Sequence, residues 1–207
     1  MSSTIFTPFT EEQLIPKEEK LDVLKKGKKF SIGIPKETCL HEKRLCITPD
    51  AVQVLVEHGH DIILEAGAGE GSFFTDLQFS EAGAQITTSQ AEVYGQDLVL
   101  KINPPTEEEM EYLKPNAYLV SALQINLRDK EYFKKLAEKK VNAIAFEFIM
   151  DEYRQLSLIR LIGEIAGGMS ILYAAELLAK SNGLMLGGIT GVRPTEVVIL
   201  GAGIVGE

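Results

Sequence analysis

Tryptophan is absent, and only two cysteines and three histidines occur in 207 residues. So few thiols exclude a disulfide framework, and Cys39 and Cys46 read as reduced core or near-surface thiols. With His41 between them they still lack the second ligand pair that tetrahedral zinc needs, so no metal is expected. Cationic charge is also scarce: the formal net charge is −9 and the pI about 5.0. Phosphate backbones need clustered Lys and Arg, which argues against a nucleic-acid partner. The one basic cluster, Lys25-Lys26-Gly27-Lys28-Lys29, is short and follows acidic residues, so it reads as a solvated face. No uninterrupted apolar run approaches the about 20 residues of a membrane span, and no signal pattern opens the chain. A cytoplasmic protein without direct membrane insertion is the expectation.

Glycine is plentiful, and its placement carries the most information. Glu196-Val197-Val198-Ile199-Leu200, with Pro194 ahead of it, reads as a buried parallel strand. It runs into Gly201-Ala202-Gly203-Ile204-Val205-Gly206, a G-x-G-x-x-G turn. In a dinucleotide-binding unit the first glycine makes the tight turn and the second lets the pyrophosphate approach. The third lets the following helix pack on the strand, and the helix N-terminus holds the phosphates. Gly201, Gly203 and Gly206 are therefore candidate cofactor-binding residues. The helix, the second strand and the acidic residue expected roughly 20 positions on do not follow in the 207 residues. This predicts the N-terminal part of a larger enzyme. The isolated chain is expected to be inactive and to bind no NAD(H) measurably.

Residues 1–28 are polar, carry Pro16 and a capping-box-like Thr10-Glu11-Glu12-Gln13, and read as an N-terminal extension. From 29 to 155 strands alternate with helices, the pattern of a parallel sheet covered on both faces. Strands are predicted at Phe30–Ile34, Asp61–Glu65, Asp97–Ile102, Tyr118–Leu123 and Val141–Ile149. Thr48-Pro49 starts a helix that Gly59 ends, Ser89 opens a capping box, Thr106-Glu107-Glu108-Glu109 opens another helix, and Asp129 caps a helix over 130–138. Residues 156–182 read as a long connector helix (Leu158–Leu178, with Ser157 as N-cap), and 183–207 as the start of a Rossmann domain. Gly163, Gly167 and Gly168 inside that helix cost stability unless something packs closely there.

Several phrases then coincide: Ile32-Gly33-Ile34-Pro35-Lys36-Glu37, Arg44-Leu45-Cys46-Ile47-Thr48-Pro49, Gly67-Ala68-Gly69 and Leu98-Val99-Leu100-Lys101. Glu164-Ile165-Ala166-Gly167 and Leu186-Gly187-Gly188-Ile189-Thr190-Gly191-Val192 complete the set, ahead of the glycine turn. In this order and spacing they resemble the family of alanine dehydrogenase and the nicotinamide nucleotide transhydrogenase α-subunit, over about residues 30–207. The resemblance implies an α/β enzyme with a Rossmann-like (flavodoxin-like) substrate domain, a connector helix and an NAD-binding Rossmann domain, here incomplete. It implies NAD as cofactor, alanine or pyruvate as small-molecule substrate, and a homo-oligomer. Arg44 matches the arginine that holds the substrate carboxylate, for which a planar two-pronged donor is suited. Lys101 matches the lysine that bonds the keto or amino group, at a strand end where open α/β sheets put ligands. Partial burial there would tune it for acid–base chemistry.

The chain departs from the family pattern twice. A Tyr-x-His after the fourth strand stands here as Ala122-Leu123-Gln124, and glutamine cannot exchange a proton near neutral pH. Gln124 is nonetheless a candidate catalytic residue by position. Met-Ser ahead of Glu-Ile-Ala-Gly stands as Ile162-Gly163, which makes Gly163 a cofactor-site candidate without a hydroxyl. An NAD-dependent alanine dehydrogenase is the leading expectation. Gln124 leans toward the alternative, the NAD(H)-binding subunit of a proton-translocating transhydrogenase with a membrane partner. A non-catalytic binding or oligomerisation module is the third.

Overall fold

A computed structural model describes residues 28–206; the N-terminal extension and its capping-box expectation lie outside the described residues, apart from Lys28. Six strands form one parallel sheet: β1 (Ser31–Ile34), β2 (Asp61–Glu65), β3 (Gln85–Thr87), β4 (Leu98–Leu100), β5 (Tyr118–Ser121) and β6 (Asn142–Ala145), in the order β3-β2-β1-β4-β5-β6. Of the two common doubly wound orders this is the Rossmann one rather than the flavodoxin one. Direction of winding reverses between β1 and β4, so the two strands that part there leave a crevice beyond their C-terminal ends.

Helices α1 (Pro49–Glu57) and α2 (Asp76–Glu81) supply Val52 and Phe79 to a core with Ile32, Ile34, Ile62 and Leu64. Helices α3 (Gln90–Tyr94), α4 (Glu107–Tyr112) and α5 (Lys130–Glu138) supply Tyr94, Met110, Tyr132 and Leu136 to a second core with Val99 and Leu119. Neighbouring residues of one strand face opposite ways, so alternate strand positions feed the two cores. At Gly33 the crossover helix α3 lies directly on β1: a Cβ there would stand 1.9 Å from the Val93 carbonyl oxygen. Only glycine permits that approach.

Local signals set most helix starts. Thr48 Oγ1 accepts the Ala51 N–H with Pro49 at the first helical position, and Asp129 Oδ1 accepts the Tyr132 N–H at 2.9 Å. Thr106 and Glu109 form a reciprocal capping box. At Ser89 half of the expected box forms. Ser89 accepts the Glu92 N–H, while Glu92 turns to the Thr87 hydroxyl at 2.6 Å. That carboxylate ties α3 to the end of β3 instead.

Four expectations need correction. Helix α2 and strand β3 add to the expected elements; Gln85-Ile86-Thr87 is too short to show a period. The stretch predicted as strand through Ile149 leaves the sheet after Ala145 and turns as a 3-10 segment, Phe146–Phe148. The long helix α6 (Ser157–Asn182) takes Ser157 as its first residue, with no side-chain cap. It also passes by length and composition as a possible membrane span over Ser157–Ser181, at a mean hydropathy of 1.4. Isolated charges and small residues hide this from a count of uninterrupted apolar residues.

The fourth correction is the predicted strand at Glu196–Leu200, which forms no ladder. A strand is made by its neighbours' N–H and C=O groups, and none lies beside it among the described residues. Its apolar side chains stand exposed, Leu200 at 95%.

Candidate functional site

Beyond the C-terminal ends of β1 and β4 the chain places Glu37, Arg44 and Lys101 together. Lys101 follows β4 directly and is 2% exposed. Its ammonium sits between two carboxylates, with Glu37 Oε2 and Glu109 Oε1 each 3.4 Å from Nζ. The expectation of partial burial is therefore replaced by full burial within a charge network.

Glu37 is held from the backbone side. Ile102 N–H donates to its Oε1 at 2.6 Å, and Asn103 N–H and Nδ2 both donate to Oε2 at 3.3 Å. The Asn103 amide also donates to Glu42 Oε2 at 3.1 Å. Glu42 in turn grips Arg44 through two bonds, Nε to Oε1 at 2.8 Å and Nη2 to Oε2 at 2.6 Å. One continuous chain of contacts thus runs Lys101–Glu37–Asn103–Glu42–Arg44. The guanidinium holds the Glu42 carboxyl down at about 2, and Glu42 raises the Arg44 pKa above its usual value.

Two adjoining cavities open at this end of the sheet. Arg44, Asn103, Gln124 and Glu147 line one of about 380 Å³. Arg44, Cys46 and Lys101 line the other, of about 230 Å³. The first turns of α6 contribute to both, Ile159 to the first, Leu158 to the second and Ile162 to each, so the connector helix forms an apolar wall over the polar floor. Gln124 takes a left-handed backbone (φ 49°) after β5, and its N–H donates to Glu147 Oε1 at 2.8 Å. Glu147 Oε2 is buried without a partner among the described residues. Cys46 donates its thiol to the Leu100 carbonyl at 3.4 Å, and burial pushes that thiol up to about 12. It is a packing thiol and no nucleophile.

None of the three histidines is among the residues lining these cavities. His58 Nδ1 lies 2.6 Å from the Val54 carbonyl, and His60 Nδ1 accepts the Phe30 N–H at 3.2 Å. His41 is exposed, with φ 67°.

The glycine turn lies apart from this cluster, against the middle of α6. Gly201 has φ 117°, and Gly206 donates its N–H to the Gly203 carbonyl at 2.7 Å. A Cβ on Gly206 would stand 2.7 Å from the Gly201 carbonyl oxygen, whereas Gly203 has open space around it. Those are the features of a closed turn with one backbone face left clear for a ligand. Gly163 does not face that space: Ile204 covers it, 2.7 Å from where its Cβ would be. A third cavity of about 480 Å³ lies between the helix and the turn, lined by Glu164, Gly167, Ser170, Ile199 and Gly206.

Arg44, Lys101 and Gln124 come together from three separate crossovers of the sheet. Nothing in the sequence pattern marked Glu37, Glu42, Asn103 and Glu147 as their partners. Glu109 was visible only as one of the residues opening a helix.

Residues 33–166 match the family model described as "Alanine dehydrogenase/PNT, N-terminal domain", and residues 170–207 match its C-terminal counterpart. The chain is 41% identical over 178 residues to an alanine dehydrogenase of Staphylococcus saprophyticus, covering 84% of this chain and 48% of that protein. It is 39% identical over 180 residues to alanine dehydrogenase 2 of Staphylococcus aureus strain USA300, covering 86% and 48%. A solved L-alanine dehydrogenase superposes with a TM-score of 0.80 at 34% identity, over 85% of this chain and 49% of the other. A transhydrogenase from Sinorhizobium meliloti shares the fold at 23% identity and a TM-score of 0.74, over 85% and 53%. The chain spans about half the length of these relatives. On the match of both domain models in succession, with most of the chain covered, it belongs to the alanine dehydrogenase/PNT family.

Proposed function

We propose that this chain is the N-terminal portion of an NAD-dependent alanine dehydrogenase, the full-length enzyme converting L-alanine, NAD and water to pyruvate, ammonia and NADH. The observation that carries the reading is the convergence of Arg44, Lys101 and Gln124 on two adjoining cavities at the reversal point of the sheet. Arg44 orients the substrate carboxylate through a face of the guanidinium that Glu42 does not occupy. Lys101 bonds the amino or keto group and moves its proton. The Gln124 amide donates a hydrogen bond but holds no titrating proton. Ile159 and Ile162 of α6 keep water from the reacting centre.

Gly201, Gly203 and Gly206 fit a pyrophosphate by their turn geometry. They would hold NAD, which would supply a hydride acceptor at the cavity. Gly163 and Gly167 support that turn from beneath. We place the protein in the cytoplasm as a homo-oligomer.

Gln124, in place of a histidine, favours the second reading: a transhydrogenase subunit that passes hydride to NADP at a membrane partner and needs no amino-acid pocket. Alanine-dependent NADH formation by the full-length protein at alkaline pH separates the two. Its absence, with hydride transfer from NADH to an NADP analogue present, overturns the dehydrogenase reading.

A further inference from the structure

A lysine that moves protons must exchange them with water, and Lys101 has almost no surface through which to do so. It lines a cavity on one side and is 2% exposed overall. A proton taken from bound substrate has to leave by way of a neighbour. Two neighbours are within reach, and their bonding differs.

Glu37 accepts from Ile102 N–H, from Asn103 N–H and from the Asn103 amide, besides Lys101. A carboxylate with four donors around it has no lone pair left for a proton of its own. Glu109 is less committed. Its Oε2 accepts the Thr106 N–H at 2.8 Å, and its Oε1 meets both Lys101 Nζ at 3.4 Å and Thr38 Oγ1 at 3.1 Å. Glu109 is 4% exposed, whereas Thr38, in the loop after β1, is exposed. Nζ, Oε1 and Oγ1 therefore make a two-step path from the cavity wall to solvent.

The Tyr94 phenol of α3 also faces Glu109. Burial above all, and then the neighbouring Glu109 and Glu37 carboxylates, push its pKa up, so it keeps its proton and takes none from the relay.

From this geometry we infer that Glu109 and Thr38 form a proton relay between Lys101 and solvent. The inference rests on Lys101 being the acid–base group of the proposed dehydrogenase. In the direction of alanine oxidation the Lys101 ammonium first passes an Nζ–H proton to Glu109 Oε1, and the neutral amine so formed takes up the substrate proton. The carboxyl O–H then donates to Thr38 Oγ1 as Thr38 releases its own hydroxyl proton to water. One proton enters, one leaves, and no electrons move. The reverse order serves pyruvate amination. Glu109 and Thr38 touch no substrate and act through Lys101.

The test uses the full-length protein and the variants Glu109→Gln, Thr38→Val and Thr38→Ser. Glutamine keeps an oxygen for the Thr106 N–H but carries no acid proton. Valine cuts the path at its solvent end and leaves Lys101 and Glu109 in place, which covers the case of a poorly folding Glu109→Gln. The relay predicts a fall in kcat of about 10²-fold for Glu109→Gln, the low end for a general acid–base group, and a smaller fall for Thr38→Val. KM for alanine and for NAD should hold, the solvent deuterium isotope effect on kcat should grow, and Thr38→Ser should regain the parent rate. A purely structural role would leave the isotope effect unmoved. An active parent whose Thr38→Val variant keeps both kcat and isotope effect overturns the relay alone. A parent that forms no NADH from alanine overturns the dehydrogenase reading, and the relay with it.

Discussion

Arg44 is paired before any substrate arrives: Glu42 occupies its Nε and Nη2 donors and holds its backbone N–H at 3.0 Å. The Glu42 carboxyl is thereby held down at about 2 from an ordinary 4.5. A carboxyl with a depressed folded value stabilises the fold above its unfolded value and ceases to as pH falls through the folded one. Denaturant midpoints of the parent and of Glu42→Gln should therefore differ most above about pH 5 and converge towards pH 2. A constant difference across that range would contradict the pairing. For the full-length enzyme, Arg44→Lys should mainly raise KM for alanine and pyruvate, because a point charge cannot reproduce a two-pronged bond. Lys101→Ala should lose about 10²–10⁴-fold in activity. It should also lower stability by about 3–5 kcal/mol, since Glu37 and Glu109 are left buried without their cation. Denaturant unfolding of the variant measures that part separately. At 124 the left-handed backbone narrows the choice of residue: Asn, Asp, His and Gly pass, and β-branched residues are strained. Gln124→His should thus fold and keep or raise activity, while Gln124→Val should fold poorly, as a melting curve of each would show.

Within α6, adjacent glycines have opposite surroundings. A Cβ on Gly167 would meet the Val205 carbonyl oxygen at 2.5 Å, whereas one on Gly168 meets nothing within 4 Å. Gly168→Ala should raise the melting temperature, consistent with a gain of roughly 1 kcal/mol of helix propensity. Gly167→Ala should push the glycine turn away from the helix and weaken NADH binding in the full-length protein, which calorimetry would read. Equal effects at the two positions would refute the packing argument. These contacts also show what one sequence reveals. Helix starts at Thr48, Thr106 and Asp129 are legible because a cap and the N–H it accepts lie three residues apart. Apolar runs locate five of the six strands. β3 escapes because three residues show no period, and the end of β6 is overrun because the apolar Phe146–Phe148 continues the run while leaving the sheet. In the site, Arg44, Lys101 and Gln124 are legible through family phrases. Glu37 is not, because its partners at 102 and 103 lie some sixty positions away, and Glu42 is not, because its spacing to Arg44 alone reads as an ordinary solvated charged loop.

Taken whole, the molecule covers its sheet on both faces yet leaves α6 and the segment after it largely bare. Leu161, Ile165, Leu172 and Tyr173 of α6 are all more than half exposed, as are Val198 and Leu200 beyond it. A contiguous apolar surface of this kind drives association. The 207-residue chain expressed alone should self-associate, and light scattering that shows a strict monomer at high concentration would count against it. The order of the strands has a further consequence, in time rather than in space. β1 lies between β2 and β4, and Ile32 pairs with Leu98. At roughly 5–20 residues per second of synthesis, one side of the first strand waits several seconds on the ribosome for its partner, and the Glu37–Lys101 contact waits with it. Non-local parallel pairing of this sort is slow to form. The charge cluster therefore cannot form until β4 has been made, and a nascent chain arrested before Leu98 would carry Arg44 and Glu42 but no site.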